Sequence, residues 1–414
     1  MIKLENMQVQ NFKNILSADL PFEKVTIIVG ENGSGKSNIL SAIPALNYII
    51  NAAIPEVEQS FQLAGPLGSI GSIGKKVSNF RLEDLSNPVA IALDFLNTEA
   101  NTVYTYEMRL ERYTSFTVPE ASSLVYHSLH MKIAYESFTY KSKSQTGKAI
   151  SILKRVGNDI QFGDGVKKAG ALITWLDDST SAIRYLNLIK ANISDEYKQA
   201  MEALFSVLNS NIYYLSSQLL KGGEIDGVSE SRVIDFNLTE EIFAYQESPF
   251  WPAYKSAVKS ILSFDDINAV DLKDYGINLK SLYIHQDKIL KSLHELSDGT
   301  IVLLGLITKI FFDSSDIFFI EEPENSIHPL ALQRLVELMR EHSVAKQFIM
   351  TTHSPYLLNM IRPEEVRVAE IQDSGLSTIS KLPDVKGIKK KLAKHFMSFG
   401  DIVFSEPEND DDGE

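Results

Sequence analysis

Apolar and polar residues alternate along "IKLENMQVQNF", Ile2 to Phe12, and then give way to "VTIIVG", Val25 to Gly30, which is apolar almost throughout. The alternation predicts a strand with one wet face, and the unbroken apolar run predicts a strand buried on both. In "SNILSAIPALNYII" the residues Ile39, Ile43, Leu46 and Ile50 recur at helical spacing, and Pro44 is expected to kink or shorten that helix. Residues 60–85 are rich in Gly and Ser ("AGPLGSIGSIGKK") and read as a mobile loop. Alternation returns in "VAIALDFL", "TVYTYEMRLER" and "LHMKIAYESFTY", predicting antiparallel strands between 89 and 160.

The pattern from about 170 to 295 is mostly helical, with Met201, Leu204, Phe205 and Leu208 on one stripe and a strand-like "NIYYLS" near 211–216. "SDGTIVLLGLITKIFF" is apolar almost all round and predicts a buried helix. "IFFI", "QFIM" and "VRVAEI" are short buried strands, and "PLALQRLVELMR" between the first two is an amphipathic helix with Leu332, Leu335, Val336 and Met339 inward. Strand, helix and strand at that spacing make a βαβ unit, hence a parallel sheet. These patterns predict an α/β fold in three segments: 1–170, a mainly helical insertion over 171–295, and 296–414, whose acidic tail 405–414 is expected to be disordered.

Composition narrows the function classes. The chain of 414 residues has no cysteine, which excludes disulfides, thiolate metal sites and cysteine nucleophiles and suits a reducing cytoplasm. The start, "MIKLENMQVQNF", has no apolar signal-peptide core, and the run "IVLLGLITKIFF" is interrupted by Lys309 and too short to span a bilayer, so no membrane association is expected. A net charge of −14 argues against a broad nucleic-acid surface while leaving room for a local basic groove. The lysines of "GIKKKLAKHF", interleaved with Ile388, Leu392 and Phe396, read first as a solvated helix face and second as a DNA phosphate contact.

The candidate chemistry begins with "GENGSGKS", Gly30 to Ser37, which matches G-x-x-x-x-G-K-[ST] between a buried strand and a helix. Glycines there let backbone N–H groups curl around phosphate oxygens, and the helix N-terminus adds partial positive charge. Gly30, Asn32, Gly33, Ser34, Gly35, Lys36, Ser37 and Asn38 are the expected nucleotide contacts, with Lys36 on the β- and γ-phosphates and Ser37 on Mg²⁺. No N-K-x-D guanine reader occurs, which favours ATP over GTP.

A second group of residues lies downstream. The strand in "DIFFIEEPENSIHP" ends on acids: Glu321 is the expected metal-side carboxylate and Glu322 the base that polarises water. Asp316 lies at the strand's other end, and Glu324 reads as a stabilising acid before a helix opened by Pro329. In "LSDGT", Ser297 with the N–H groups of Gly299 and Thr300 could clasp a γ-phosphate, or Ser297 could simply cap the helix. His353, after the strand in "QFIMTTHSPYLL", is the expected γ-phosphate sensor, and Ser354 and Pro355 open the next helix. His328 fits a subunit contact and a helix cap equally.

These four elements in this order resemble the ABC-type ATPase head of the SMC, RecF and OLD (overcoming lysogenization defect) proteins. "EEPENSIHP", "LSDGT" and "TTHSPYLL" are similar to the OLD-like bacterial ATPases, in which Glu-Glu replaces Asp-Glu. The resemblance covers roughly residues 1–50 and 280–370, and the middle third matches in general layout. It implies a P-loop NTPase head with a mixed central sheet, an N-terminal antiparallel β subdomain and an inserted helical subdomain. It also implies an ATP sandwich in a homodimer or larger homo-oligomer. Ser297 and Gly299 of one copy would complete the site held by Lys36, Ser37, Glu321, Glu322 and His353 of the other. The family's glutamine loop is a further metal contact, for which Gln62 is a candidate.

Full OLD proteins carry a Toprim nuclease domain; the residues after the last strand fall far short of the roughly 100 such a domain needs. The absence of a long heptad stretch argues against an SMC-type coiled coil. Three functions are consistent with this: a slow regulatory ATPase of bacterial antiviral defence that controls a separate nuclease or toxin, a RecF-like DNA-repair ATPase, and an ATP-locked scaffold with little turnover.

Overall fold

The structure, a computed structural model, describes residues 1–51, 87–117, 126–144, 146–166, 176, 178–213, 237–275, 280–325, 327–394 and 398–404. The Gly/Ser-rich stretch over 60–85, Gln62, Phe396 and the tail 405–414 lie outside them. The chain divides into two compact units: Met1–Glu23 with Gly30–Ser210 and Arg367–Lys381, and Lys24–Val29 with Asn211–Val366 and Leu382–Glu414.

In the first unit the alternating segments become strands β1 (Ile2–Phe12), β2 (Ile15–Pro21), β4 (Val89–Asn97), β5 (Thr102–Thr117), β6 (Tyr126–Ser142), β7 (Ile150–Val156) and β8 (Asp159–Phe162), with β15 (Val366–Ile371) and β16 (Ser377–Lys381). Their order is β8-β7-β6-β5-β4-β1-β2-β16-β15. Every pairing is antiparallel except β2 with β16. Burial along β4 alternates strictly over its first residues, as expected of a sheet with one packed face. Among the described residues the unit also has helices α1 (Lys36–Leu40), α2 (Ala42–Asn51), α3 (Ala182–Leu188) and α4 (Asp195–Leu208). The helix after the phosphate loop breaks at Ser41, ahead of Pro44, and Ile39, Ile43, Leu46 and Ile50 are all buried. On α4 the buried stripe includes Val207, whereas Phe205 is half-exposed. The fully buried Glu136 accepts hydrogen bonds from Tyr106 Oη (2.8 Å), Ser181 Oγ (2.5 Å) and Ala182 N (2.8 Å), so its charge is spent on the start of α3.

The second unit holds four parallel strands in the order β3 (Val25–Gly30), β14 (Gln347–Thr352), β13 (Ile317–Glu321) and β9 (Ile212–Tyr213). β3 and β14 are buried at every position. Between β13 and β14 runs α8 (Pro329–His342), which buries Leu332, Leu335, Val336 and Met339, so the predicted βαβ unit is present. Among the described residues the unit also has helices α5 (Leu238–Tyr245), α6 (Trp251–Leu262), α7 (Asp298–Phe312), α9 (Pro355–Leu358), α10 (Val385–Lys394) and α11 (Phe399–Phe404). α7 is buried along almost its whole length, as its all-round apolar sequence predicts. Its polar exceptions are matched: Thr308 Oγ1 lies 3.0 Å from Tyr254 Oη, and Lys309 pairs with Glu241.

Residues 266–292, read from sequence as part of a mainly helical insertion, instead form a three-stranded antiparallel sheet of β10 (Asp266–Asp271), β11 (Lys280–Gln286) and β12 (Ile289–Ser292). Only Ile267, Ala269, Leu282 and Ile284 of these strands are buried, so the alternating apolar signal is short and does not stand out from the helical pattern around it. Among the described residues no helix is long and apolar enough to cross a membrane.

Candidate phosphate loop and acid cluster

The phosphate loop leaves the end of β3 and closes on α1. Gly33 and Gly35 have φ of 84° and 86°, left-handed values that glycine adopts without strain. Gly30 is held by close approach instead: a Cβ there would sit 2.3 Å from Ala369 O and 2.6 Å from Ser34 Oγ. Lys36 is buried, and its Nζ donates to the carbonyls of Gly30 and Glu31, each at 2.7 Å. The ammonium is thus folded over the loop it would share with phosphate. Ser34 Oγ is buried and has no hydrogen-bond partner among the described residues. A buried hydroxyl left unpaired in a loop of left-handed glycines fits an anionic ligand with acceptor oxygens. Asn32 and Gly33 are exposed, and Ser37 and Asn38 are partly so.

One contributor was missed from sequence. The two-residue link between β1 and β2 is Lys13–Asn14, and the Asn14 side chain is built into the loop. Its Nδ2 donates to Gly33 O (2.8 Å) and Ser377 Oγ (3.3 Å), and its Oδ1 accepts from Asn38 Nδ2 (2.7 Å). Nothing in the motif itself points to a residue so far upstream. Asn14→Ala removes the brace on Gly33, at roughly 1 kcal/mol per neutral hydrogen bond lost. It is expected to weaken binding of a fluorescent ATP analogue by roughly tenfold with little change in melting temperature.

The acids and the histidine belong to the second unit. In the register of its parallel strands, Glu321 is opposite Thr351 and Val29 is opposite Thr352. The C-terminal ends of β13, β14 and β3 therefore lie in one row, the edge at which open α/β sheets bind ligands. β3 runs on from that edge directly into the phosphate loop. Past Glu321 the chain turns sharply: Glu322 has φ of 44°, a strained value for a non-glycine residue. Its N–H donates to Thr351 O (3.0 Å), and its Oε2 accepts from Asn325 Nδ2 (2.8 Å). Its Oε1 lies 3.4 Å from His353 Nδ1. The structure thus brings Glu322 and His353 together, with Glu321 at the adjacent strand end.

Glu324 corrects an expectation. Helix α8 is capped by His328, whose Nδ1 accepts from Leu330 N (3.3 Å), with Pro329 at the first helical position. Glu324 lies outside that helix and takes hydrogen bonds from Thr352 Oγ1 and His353 N instead. His328 thus makes the cap bond that was one of its two options, and it is exposed.

Ser297 caps α7: its Oγ accepts from Thr300 N (3.3 Å) and lies 2.7 Å from Thr300 Oγ1. It is exposed, whereas Gly299 is buried.

Residues 2–358 match the family described as the AAA ATPase domain. The chain is 23% identical over 437 residues to the retron Vc95 probable ATPase of Vibrio cholerae serotype O1 biovar El Tor, covering 98% of this chain and 81% of that protein. It is 24% identical over 418 residues to endonuclease GajA of Bacillus cereus (strain VD045), covering 96% of this chain and 64% of that one, so it spans less than two thirds of GajA's length. Among solved structures, the SMC head bound to the C-winged helix domain of ScpA aligns with a TM-score of 0.51 at 14% identity, covering 93% of this chain and 99% of that one. At that identity the likeness is one of fold.

Proposed function

The chain belongs to the AAA ATPase domain family, and from that premise we propose that it is a slow regulatory ATPase whose nucleotide-bound assembly controls a separate nuclease or toxin in antiviral defence. The observation that carries the catalytic part is the 3.4 Å approach of His353 Nδ1 to Glu322 Oε1, at the strand edge from which β3 enters the phosphate loop. In this reading the loop amides, Lys36 and the Ser34 hydroxyl hold the phosphates of ATP. Glu322 orients the attacking water and takes its proton, and His353 donates a hydrogen bond toward the γ-phosphate. Ser37 and Glu321 carry oxygen ligands of the kind a hard cation takes, and in this reading they would hold Mg²⁺, which would neutralise charge on the β- and γ-phosphates. The products are ADP and phosphate.

Support for assembly comes from Ser297, which stands exposed at the N-terminus of the 15-residue α7 with the Thr300 hydroxyl beside it. In the proposed sandwich, that end of α7 meets the nucleotide held by a second copy. Support for defence comes from the OLD-like motifs, and the two relatives, one named a retron probable ATPase and one an endonuclease, support an ATPase that works with a nuclease. The net charge of −14 favours this over a DNA-coating repair ATPase.

Native mass measured with and without ATP and Mg²⁺ tests the assembly. The wild type is expected to gain mass by whole copies with nucleotide. Ser297→Arg is expected to bind ATP yet remain at its nucleotide-free mass. Identical masses under all conditions would remove the sandwich.

A further inference from the structure

We propose that Glu324 is a positioning residue of the ATPase reaction: one carboxylate oxygen holds the Thr352–His353 segment and so sets the distance between His353 and Glu322. The inference rests on the ATPase reading above.

The backbone ladder between β13 and β14 runs out where this placement is needed. Its last paired residues are Glu321 and Thr351, followed by a single bond from Glu322 N to Thr351 O. Beyond that point Glu324 supplies the continuation. Its Oε1 accepts from Thr352 Oγ1 and from His353 N (3.4 Å), and Thr352 Oγ1 in turn accepts from Ser354 N (2.9 Å). Three consecutive residues of the histidine segment are thus tied, directly or through one hydroxyl, to a single oxygen. That oxygen belongs to the turn carrying Glu322, so the turn and the histidine move as one.

A plain stabilising role fits poorly. The Glu324 side chain is only 10% exposed, and its Oε2 is buried with no hydrogen-bond partner among the described residues. Burying such an oxygen costs free energy. The helix it was expected to serve already has its own cap in His328.

What the two hydrogen bonds require is an acceptor at Oε1, which also lies 3.9 Å from His353 Nδ1. Glu324→Gln keeps a carbonyl acceptor of the same reach, and Glu324→Ala removes it. With an approach of catalytic groups lost, Glu324→Ala is expected to lower kcat on the order of 10- to 100-fold. KM for ATP should stay within about twofold, because the phosphate loop is untouched. Glu324→Gln is expected to keep at least half of wild-type kcat with no drop in melting temperature. Glu324→Ala/His353→Ala is expected to turn over no more slowly than His353→Ala, since a residue acting through His353 has nothing left to position.

A readout independent of turnover is the NMR resonance of the His353 ring, assigned by its loss in His353→Asn. It should move in Glu324→Ala and stay in place in Glu324→Gln. Wild type that releases no phosphate would sink the ATPase reading, while this ring signal would still decide the positioning role. An unmoved His353 signal in Glu324→Ala, a Gln variant as impaired as the Ala one, or additive losses in the double variant would each overturn the proposal.

Discussion

Glu322→Gln is expected to bind ATP as the wild type does and to hydrolyse it roughly 10²- to 10⁴-fold more slowly, the range over which a positioned general base contributes. The amide keeps the size of the side chain and can still meet Asn325, but it cannot take the water's proton. Its effect on His353 is also defined, because Nδ1 of the histidine faces Glu322 Oε1 at 3.4 Å. Replacing the carboxylate removes an acceptor of charge without opening space. The variant should therefore accumulate in its ATP-bound assembly, visible as a mass that persists long after wild type has returned to the nucleotide-free state. Phosphate release followed together with native mass checks both halves. Equal, near-zero turnover in wild type and variant, with both assembling on ATP, would mean that the protein is a nucleotide-locked scaffold.

Lys36→Ala is expected to lower ATP affinity by on the order of 10- to 100-fold or more. Hydrogen bonds to charged groups are worth roughly 1.5–3 kcal/mol each, and tenfold in affinity is about 1.4 kcal/mol. The free protein should feel the change too. Lys36 Nζ bonds the carbonyls of Gly30 and Glu31, so its loss removes one donor from each, Glu31 O keeping that of Ser34 N, and a modest fall in melting temperature should accompany the affinity loss. Lys36→Arg is not expected to rescue binding: the site is buried, and a planar guanidinium needs more room than an ammonium. Calorimetric titration with a non-hydrolysable ATP analogue measures the first effect and a thermal melt the second. Undiminished affinity in Lys36→Ala would remove the phosphate loop from the site.

How legible each part was follows from the distance over which its contacts are made. The phosphate loop could be read because its strand, glycines, lysine and helix are contiguous, and each obeys a local rule. The same holds for β13, α8 and β14, where period and chain order are enough to give a βαβ unit. Glu322 and His353 could be nominated because each follows a buried strand, although their 3.4 Å meeting depends on the β13–β14 register. Asn14 and Glu324 could not be assigned, since the partners of Asn14 extend to Ser377 and those of Glu324 lie on the far side of a helix and a strand. The sheet of β10 to β12 escaped because its strands bury few residues, and Phe205, placed on the α4 stripe from its spacing, is partly exposed while Val207 is buried.

Sequence alone therefore determined the fold class, the phosphate loop and the acids at a strand end. Those features are set by backbone sterics and hydrophobic periodicity within a few residues of each other. Tertiary structure decided which side chains brace them: Asn14 under Gly33, and Glu324 behind His353. Hydrogen bonds between segments far apart in the chain leave no periodic trace, and only the folded sheet brings their donors and acceptors within reach.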